Sequence, residues 1–168
     1  MTDMTHTTEQ VQDYMARVPK SLVRYLEDEV LPRYDHFDPA HQRDHARSVM
    51  QRSMAMGAHY ADTDAGMLLT AAACHDLGLC EGRATHHLVS GRIVRADHRL
   101  RQWFDGAQIE VIAEAAEDHR ASADRAPRTI YGMIVAEADR LIDPLVSMRR
   151  AVQYGLANYP ELTREQHY

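Results

Sequence analysis

The run Ala71-Ala72-Ala73-Cys74-His75-Asp76-Leu77-Gly78-Leu79 constrains this chain more than any other stretch. Its small residues favour helix and let a neighbouring helix come close, and they deliver an adjacent imidazole and carboxylate to a glycine-containing turn. Adjacent side chains on a continuous helix point about 100° apart. His75 and Asp76 therefore converge where the backbone relaxes at a helix end, as Gly78 allows. His45 precedes the pair, and His87, His119 and Asp139 follow it, each on a separate expected helix. Imidazole nitrogen and carboxylate oxygen are ligands for divalent iron, manganese, nickel, cobalt and zinc, so the chain reads as a helical wrapper around a metal site.

The rest of the chain supplies the helices. A polar, Thr-rich tail over residues 1–8 is expected to be mobile, and from Glu9 the positions Val11, Tyr14, Met15 and Val18 step at helical spacing until Pro19. A second helix carries Leu22, Val23, Leu26 and Val30 and stops near Pro32, followed by a loop from Arg33 to Pro39. Asp38 and Pro39 have the cap-plus-proline signature of a helix start, which predicts a third helix from Pro39 to about His59. Asp62 or Thr63 caps a fourth, which ends at the His75-Asp76 turn; a loop follows to Ala84. Thr85 caps a fifth, Trp103 and Phe104 form a hydrophobic plug, and further helices run from Ala107 to His119, Thr129 to Ile142 and Pro144 to Leu156. No alternating run bounded by hairpin turns appears. The expectation is an all-α domain of about seven to eight helices over residues 9–168. Thr163-Arg164-Glu165-Gln166 has capping-box spacing with too few residues after it to continue a helix; either it docks as one turn or the natural chain is longer, and the second reading is preferred.

At 168 residues the chain has room for one ordinary domain. Its longest apolar stretches fall well short of the roughly 20 residues of a membrane helix, and the first residues lack the basic and apolar regions of a secretory signal. Two cysteines, Cys74 and Cys80, suit a reducing interior, so a cytoplasmic, membrane-independent protein is expected. A net charge of −6 argues against binding nucleic-acid polymers. Small anions remain open, because the basic residues are nearly all Arg, a bidentate partner for phosphate.

His45 in His45-Ala46-Arg47-Ser48-Val49, the His75-Asp76 pair, and Asp139 in Ala136-Glu137-Ala138-Asp139-Arg140-Leu141 form an ordered series that resembles the HD-domain superfamily of metal-dependent phosphohydrolases, over about residues 35–144. His87-Leu88-Val89-Ser90-Gly91 and Ala115-Ala116-Glu117-Asp118-His119-Arg120 resemble the further histidine elements of its dinuclear members. The resemblance implies that His45, His75, Asp76 and Asp139 hold one divalent ion and that His87 and His119 hold a second, with the Asp76 carboxylate bridging; iron or manganese is favoured over nickel, cobalt or zinc. His86 competes with His87 for the inward direction. His41, four residues before His45 and so on the same helix face, is expected on the substrate side as a catalytic proton donor, with Asp76 the shared catalytic ligand. Arg83 and Arg120 are the candidates for substrate phosphate. His6, His36, His59, His98 and His167 read as surface or packing residues, and Cys74 as a small core residue.

Many dinuclear members carry Gly-Lys after the pair, whereas Gly78 here precedes Leu79. The Gly-Tyr-Pro signature of cyclic-di-GMP phosphodiesterases is absent, as is the Glu-Asp motif of stringent-response hydrolases, so no particular substrate transfers. The expected function is hydrolysis of a phosphoester or phosphoanhydride of a nucleotide or other small phosphorylated metabolite, with a homodimer allowed. The same ligands suit an HD-fold diiron oxygenase acting on a small organophosphonate or polyol. A non-catalytic metal-binding helical module is the third reading; it needs only a closed four-ligand shell.

Overall fold

Helix α4 (Ala65–Cys74) runs through the interior of the protein with all its residues buried, in a computed structural model that describes residues 2–120 and 124–140. The alanines at 71–73 leave space for its neighbours. Helices α3 (Arg43–Gly57), α6 (Gly106–Asp118) and α7 (Ile130–Arg140) pack against it. Helix α5 (His86–Ala96) lies on α6 and on the 3₁₀ turn Leu77–Glu81, and helices α1 (Thr2–Ala16) and α2 (Lys20–Tyr25) precede this group in the chain. The described residues form seven α-helices and no strand, as the apolar periodicity predicts. Leu22, Leu26, Leu31, Met54, Leu68 and Ile112 are fully buried in a continuous core, each contributing roughly 1.5–3 kcal/mol by removal from water. No helix among the described residues is long and apolar enough to cross a membrane.

Several boundaries differ from the expected ones. Helical backbone extends upstream of Glu9 to Thr2, through the segment expected to be a tail. The second helix leaves α geometry after Tyr25, passing through a π turn at Leu26–Val30 into a 3₁₀ segment at Leu31–His36, where a loop was expected. Pro32 lacks the N–H that would continue the α pattern, and burial of Tyr34 holds the 3₁₀ segment against the core. The predicted helix from Pro39 to His59 is two pieces. Asp38 does accept a hydrogen bond from the Ala40 amide, but the 3₁₀ turn Pro39–His41 ends at Gln42, whose backbone is extended, and α3 starts at Arg43. Helix α4 is capped by Asp64, which accepts from the Met67 amide at 2.8 Å, and not by Asp62 or Thr63. The Thr63 hydroxyl is instead buried against the Tyr14 hydroxyl at 2.7 Å. The expected helix Pro144–Leu156, the end of the helix to Ile142 and the Thr163–Gln166 segment lie outside the described residues.

The last turn of α6 is tied to its surroundings by charge. Asp118, buried, accepts from the Arg128 amide at 2.7 Å and from the Arg128 and Arg125 guanidinium groups. Glu117 receives Arg95 from α5 and Arg128, each at 2.5 Å. Burial alone would raise the Glu117 carboxyl, but the two guanidinium groups outweigh it and hold the acid below its ordinary value. A depressed carboxylate pKa stabilises the fold fully above the unfolded value, near pH 4.3, and that contribution is lost as pH falls through the folded value. Urea denaturation should therefore show Glu117→Gln to be destabilising at pH 7, with the gap to the wild type narrowing below about pH 4. A pH-independent gap would contradict this assignment.

Candidate metal centre

The α4 helix carries its αR backbone through His75 (φ −56°, ψ −37°), and Asp76 then departs to φ −108°, ψ 7°. That departure lets two adjacent side chains converge. His75 is 0 % exposed and Asp76 4 %. The Tyr34 hydroxyl pins the turn from the other side, donating to the Ala73 carbonyl at 2.7 Å and accepting from the Asp76 amide at 3.3 Å.

Two groups of nitrogen and oxygen atoms meet on the Asp76 carboxylate. Oδ2 lies 3.4 Å from His45 Nε2 and 3.2 Å from His75 Nε2, and these two nitrogens are 3.2 Å apart. Asp139 Oδ1 joins them from α7 at 3.2 Å from His45 Nε2 and 3.9 Å from His75 Nε2. Oδ1 of Asp76 faces the second group, 3.4 Å from His86 Nε2 and 3.2 Å from His119 Nε2, themselves 3.2 Å apart. A metal ion about 2.0–2.1 Å from each ligand places neighbouring ligand atoms roughly 3.0–3.4 Å apart in octahedral or tetrahedral geometry. Most of the observed spacings fall in that interval, and both compact groups, His45-His75-Asp76 and Asp76-His86-His119, share Asp76.

The far sides of three imidazoles are committed to backbone carbonyls: His75 Nδ1 to Ala72 at 2.7 Å, His119 Nδ1 to Ala116 at 2.5 Å and His86 Nδ1 to Arg83 at 2.8 Å. Each Nδ1 is thereby the donor, and Nε2 presents its lone pair to the centre. That is the tautomer a metal-ligating histidine needs. Paired lone pairs at 3.2 Å repel unless a cation lies between them. Burial would raise the Asp76 carboxyl, yet the imidazoles gathered around it, His75 first and then His119 and His45, hold it well below its ordinary value. Burial opposes ionisation of Asp139 too, and is outweighed by the neighbouring imidazoles of His45 and His75. His75, whose burial would lower it, is instead raised, by Asp76 and then by Asp139. The cavity is anionic and lined with nitrogen and oxygen donors, as a divalent cation requires.

The structure thus brings together His45, His75, Asp76, His119 and Asp139, and supplies His86 where the resemblance implied His87. His86 and His87 open α5, about 100° apart around its axis, and the direction of the helix sends His86 inward. His87 Nδ1 meets the Arg120 guanidinium at 3.4 Å. The helix is set in place by Gly78, where a Cβ would stand 1.8 Å from the His86 carbonyl oxygen and 2.6 Å from the Ser90 nitrogen. The Ser90 hydroxyl accepts from the Gly78 amide at 2.9 Å. Sequence reasoning found no role for Ser90 or Tyr34; a buried hydroxyl facing a backbone amide across helices leaves no local trace in the chain. His41 is near the centre, its ring 5.9 Å from that of His45, with Nδ1 held by Asp38 at 2.8 Å. Arg120 donates to the Ala84 carbonyl at 2.8 Å, bracing the approach to α5. Arg83 lines a cleft of about 680 Å³ together with Arg33, His36, Phe37 and Leu79. Cys74 is buried, which pushes its thiol up to about 12, and Cys80 is exposed; neither belongs to the two ligand groups.

The model of a protein family described as the HD domain matches residues 43–142. No curated protein and no solved structure matches the chain significantly.

Proposed function

Since the chain belongs to the HD-domain family, we propose that it is a metal-dependent phosphohydrolase, cleaving a phosphoester or phosphoanhydride of a nucleotide or another small phosphorylated metabolite. The observation that carries this reading is the divided Asp76 carboxylate, with one oxygen turned to His45 and His75 and the other to His86 and His119. Such a carboxylate can join two cations roughly 3.5–4 Å apart, the separation of two-metal phosphoryl-transfer sites. One ion would be held by His45, His75, Asp76 and Asp139, the other by Asp76, His86 and His119. When bound, such ions polarise a phosphoryl oxygen and lower the pKa of a water placed to attack it.

The chain's own residues do the remaining work. Nδ1 donors fixed on Ala72, Ala116 and Arg83 hold His75, His119 and His86 in one orientation, so little reorganisation accompanies substrate binding. His41 has Nδ1 held by the Asp38 carboxylate, which leaves Nε2 as the atom that carries a proton to the leaving oxygen. Arg83 sits where the cleft and the ligand shell meet, its carbonyl on His86.

Metal analysis of protein purified without chelators, followed by a phosphate-release panel with added manganese, iron, cobalt or nickel, tests the reading. Two ions per chain and metal-dependent release are expected. Hydrolysis of nothing in a broad panel, together with oxygen uptake on organophosphonates or polyols, would falsify it in favour of diiron chemistry. His41→Ala should lower kcat by about 10²-fold, the scale of a general acid, with metal content unchanged. A fall in bound metal would instead make His41 part of the ligand shell.

A further inference from the structure

The cleft beside the metal centre has a charge at odds with the molecule as a whole. The chain carries a net charge of −6, yet Arg33, His36 and Arg83 all line this cavity, and its one lining carboxylate, Asp38, is already engaged by His41 and the Ala40 amide. Arg33 and His36 are three residues apart on the 3₁₀ segment Leu31–His36. Side chains at that spacing eclipse one another in 3₁₀ geometry, so the Arg33 guanidinium and the His36 imidazole share a face. Other arginines, such as Arg43 on Asp35 and Arg47 on Glu27, are paired with carboxylates. Arg33 makes no hydrogen bond or ion pair among the described residues. The rest of the wall is largely apolar, with Phe37, Leu77 and Leu79.

The cavity, about 680 Å³, is the size of an organic ligand site and too large for an inorganic phosphate alone. Three links join it to the metal centre: Leu77 follows Asp76, Arg83 holds His86 through its carbonyl, and Asp38 holds His41 beside His45. An anion at the metals therefore has its organic remainder directed along the apolar wall. We propose that Arg33, His36 and Arg83 receive a second anionic group, so that the preferred substrates carry two anionic groups joined by an organic spacer. Placing the first anion at the metals rests on the phosphohydrolase reading; the basic cleft does not.

Calorimetric titration of the metal-loaded protein with two matched pairs tests this: adenosine 5′-monophosphate against adenosine 3′,5′-bisphosphate, and fructose 6-phosphate against fructose 1,6-bisphosphate. The bisphosphate of at least one pair should bind about tenfold tighter or better, the scale of charge-assisted hydrogen bonds to one more anion. Arg33→Ala combined with His36→Ala, both exposed positions that leave the core intact, should abolish that preference while monophosphate affinity is retained. Equal affinities within both pairs, no measurable binding in either, or a preference that survives the double substitution would each overturn the proposal. A preference for bisphosphate without phosphate release would leave the cleft assignment standing and remove the hydrolytic one.

Discussion

Asp76→Asn is expected to abolish metal-dependent activity, by at least about 10³-fold, because the several kcal/mol that bound cations supply to a phosphoryl transition state all depend on this side chain. Asparagine keeps the shape of the carboxylate but replaces one oxygen by an NH₂ group, a donor without a lone pair for a metal. One ion position loses its ligand atom outright and the other keeps only a neutral amide oxygen in place of a shared anionic charge, since Oδ2 faces the His45 and His75 side and Oδ1 the His86 and His119 side. Metal analysis should find both ions depleted. A ligand belonging to one position alone would deplete only that position, so full retention of one ion in Asp76→Asn would show that the carboxylate does not bridge. The variant should fold, because the buried packing around it is unchanged in volume; circular dichroism and a thermal melt separate metal loss from unfolding.

Gly78→Ala should halve metal content without touching a ligand. An added Cβ would overlap the His86 carbonyl oxygen and crowd the Ser90 nitrogen. Both are backbone atoms of α5, so relief requires moving the helix and not a side-chain tip. The cost is about 1–3 kcal/mol or more, as for other overpacked sites. Displacing α5 carries His86 away from Asp76 and His119, while His45, His75 and Asp139 stand on α3, on the turn after α4 and on α7, outside the shifted element. One ion per chain is expected in place of two, with a lowered Tm. Two ions at wild-type affinity would mean that α5 yields without moving His86.

Five of the six side chains that meet at the candidate metal centre were legible in the chain because their elements are strongly periodic and their order is distinctive. His45, His75, Asp76, His119 and Asp139 needed only that the helices form and pack. His86 was not separable from His87, since the two differ by one step around the helix and the choice is made by the contact of α5 with Gly78, a tertiary event. The break at Gln42 was hidden for a similar reason: Asp38-Pro39 announces a helix start correctly, but nothing local says that the first turn is 3₁₀ and stops. Asp64 outcompeted Asp62 and Thr63 as the α4 cap because Thr63 is drawn into the core by Tyr14, 49 positions away in the chain. The Asp105–Gln108 capping box of α6, by contrast, was present in the spacing and went unread.

Tyr34 has one hydroxyl and two engagements, the Ala73 carbonyl and the Asp76 amide, on either side of His75. Its neighbours Arg33, His36 and Phe37 face the cleft. A single side chain thus rivets the wall that would choose a substrate to the turn that would host the cations. Cleft side chains can be exchanged one at a time to admit a different molecule while the rivet keeps the His/Asp cluster aligned, which makes this short segment the natural place to alter ligand preference by design.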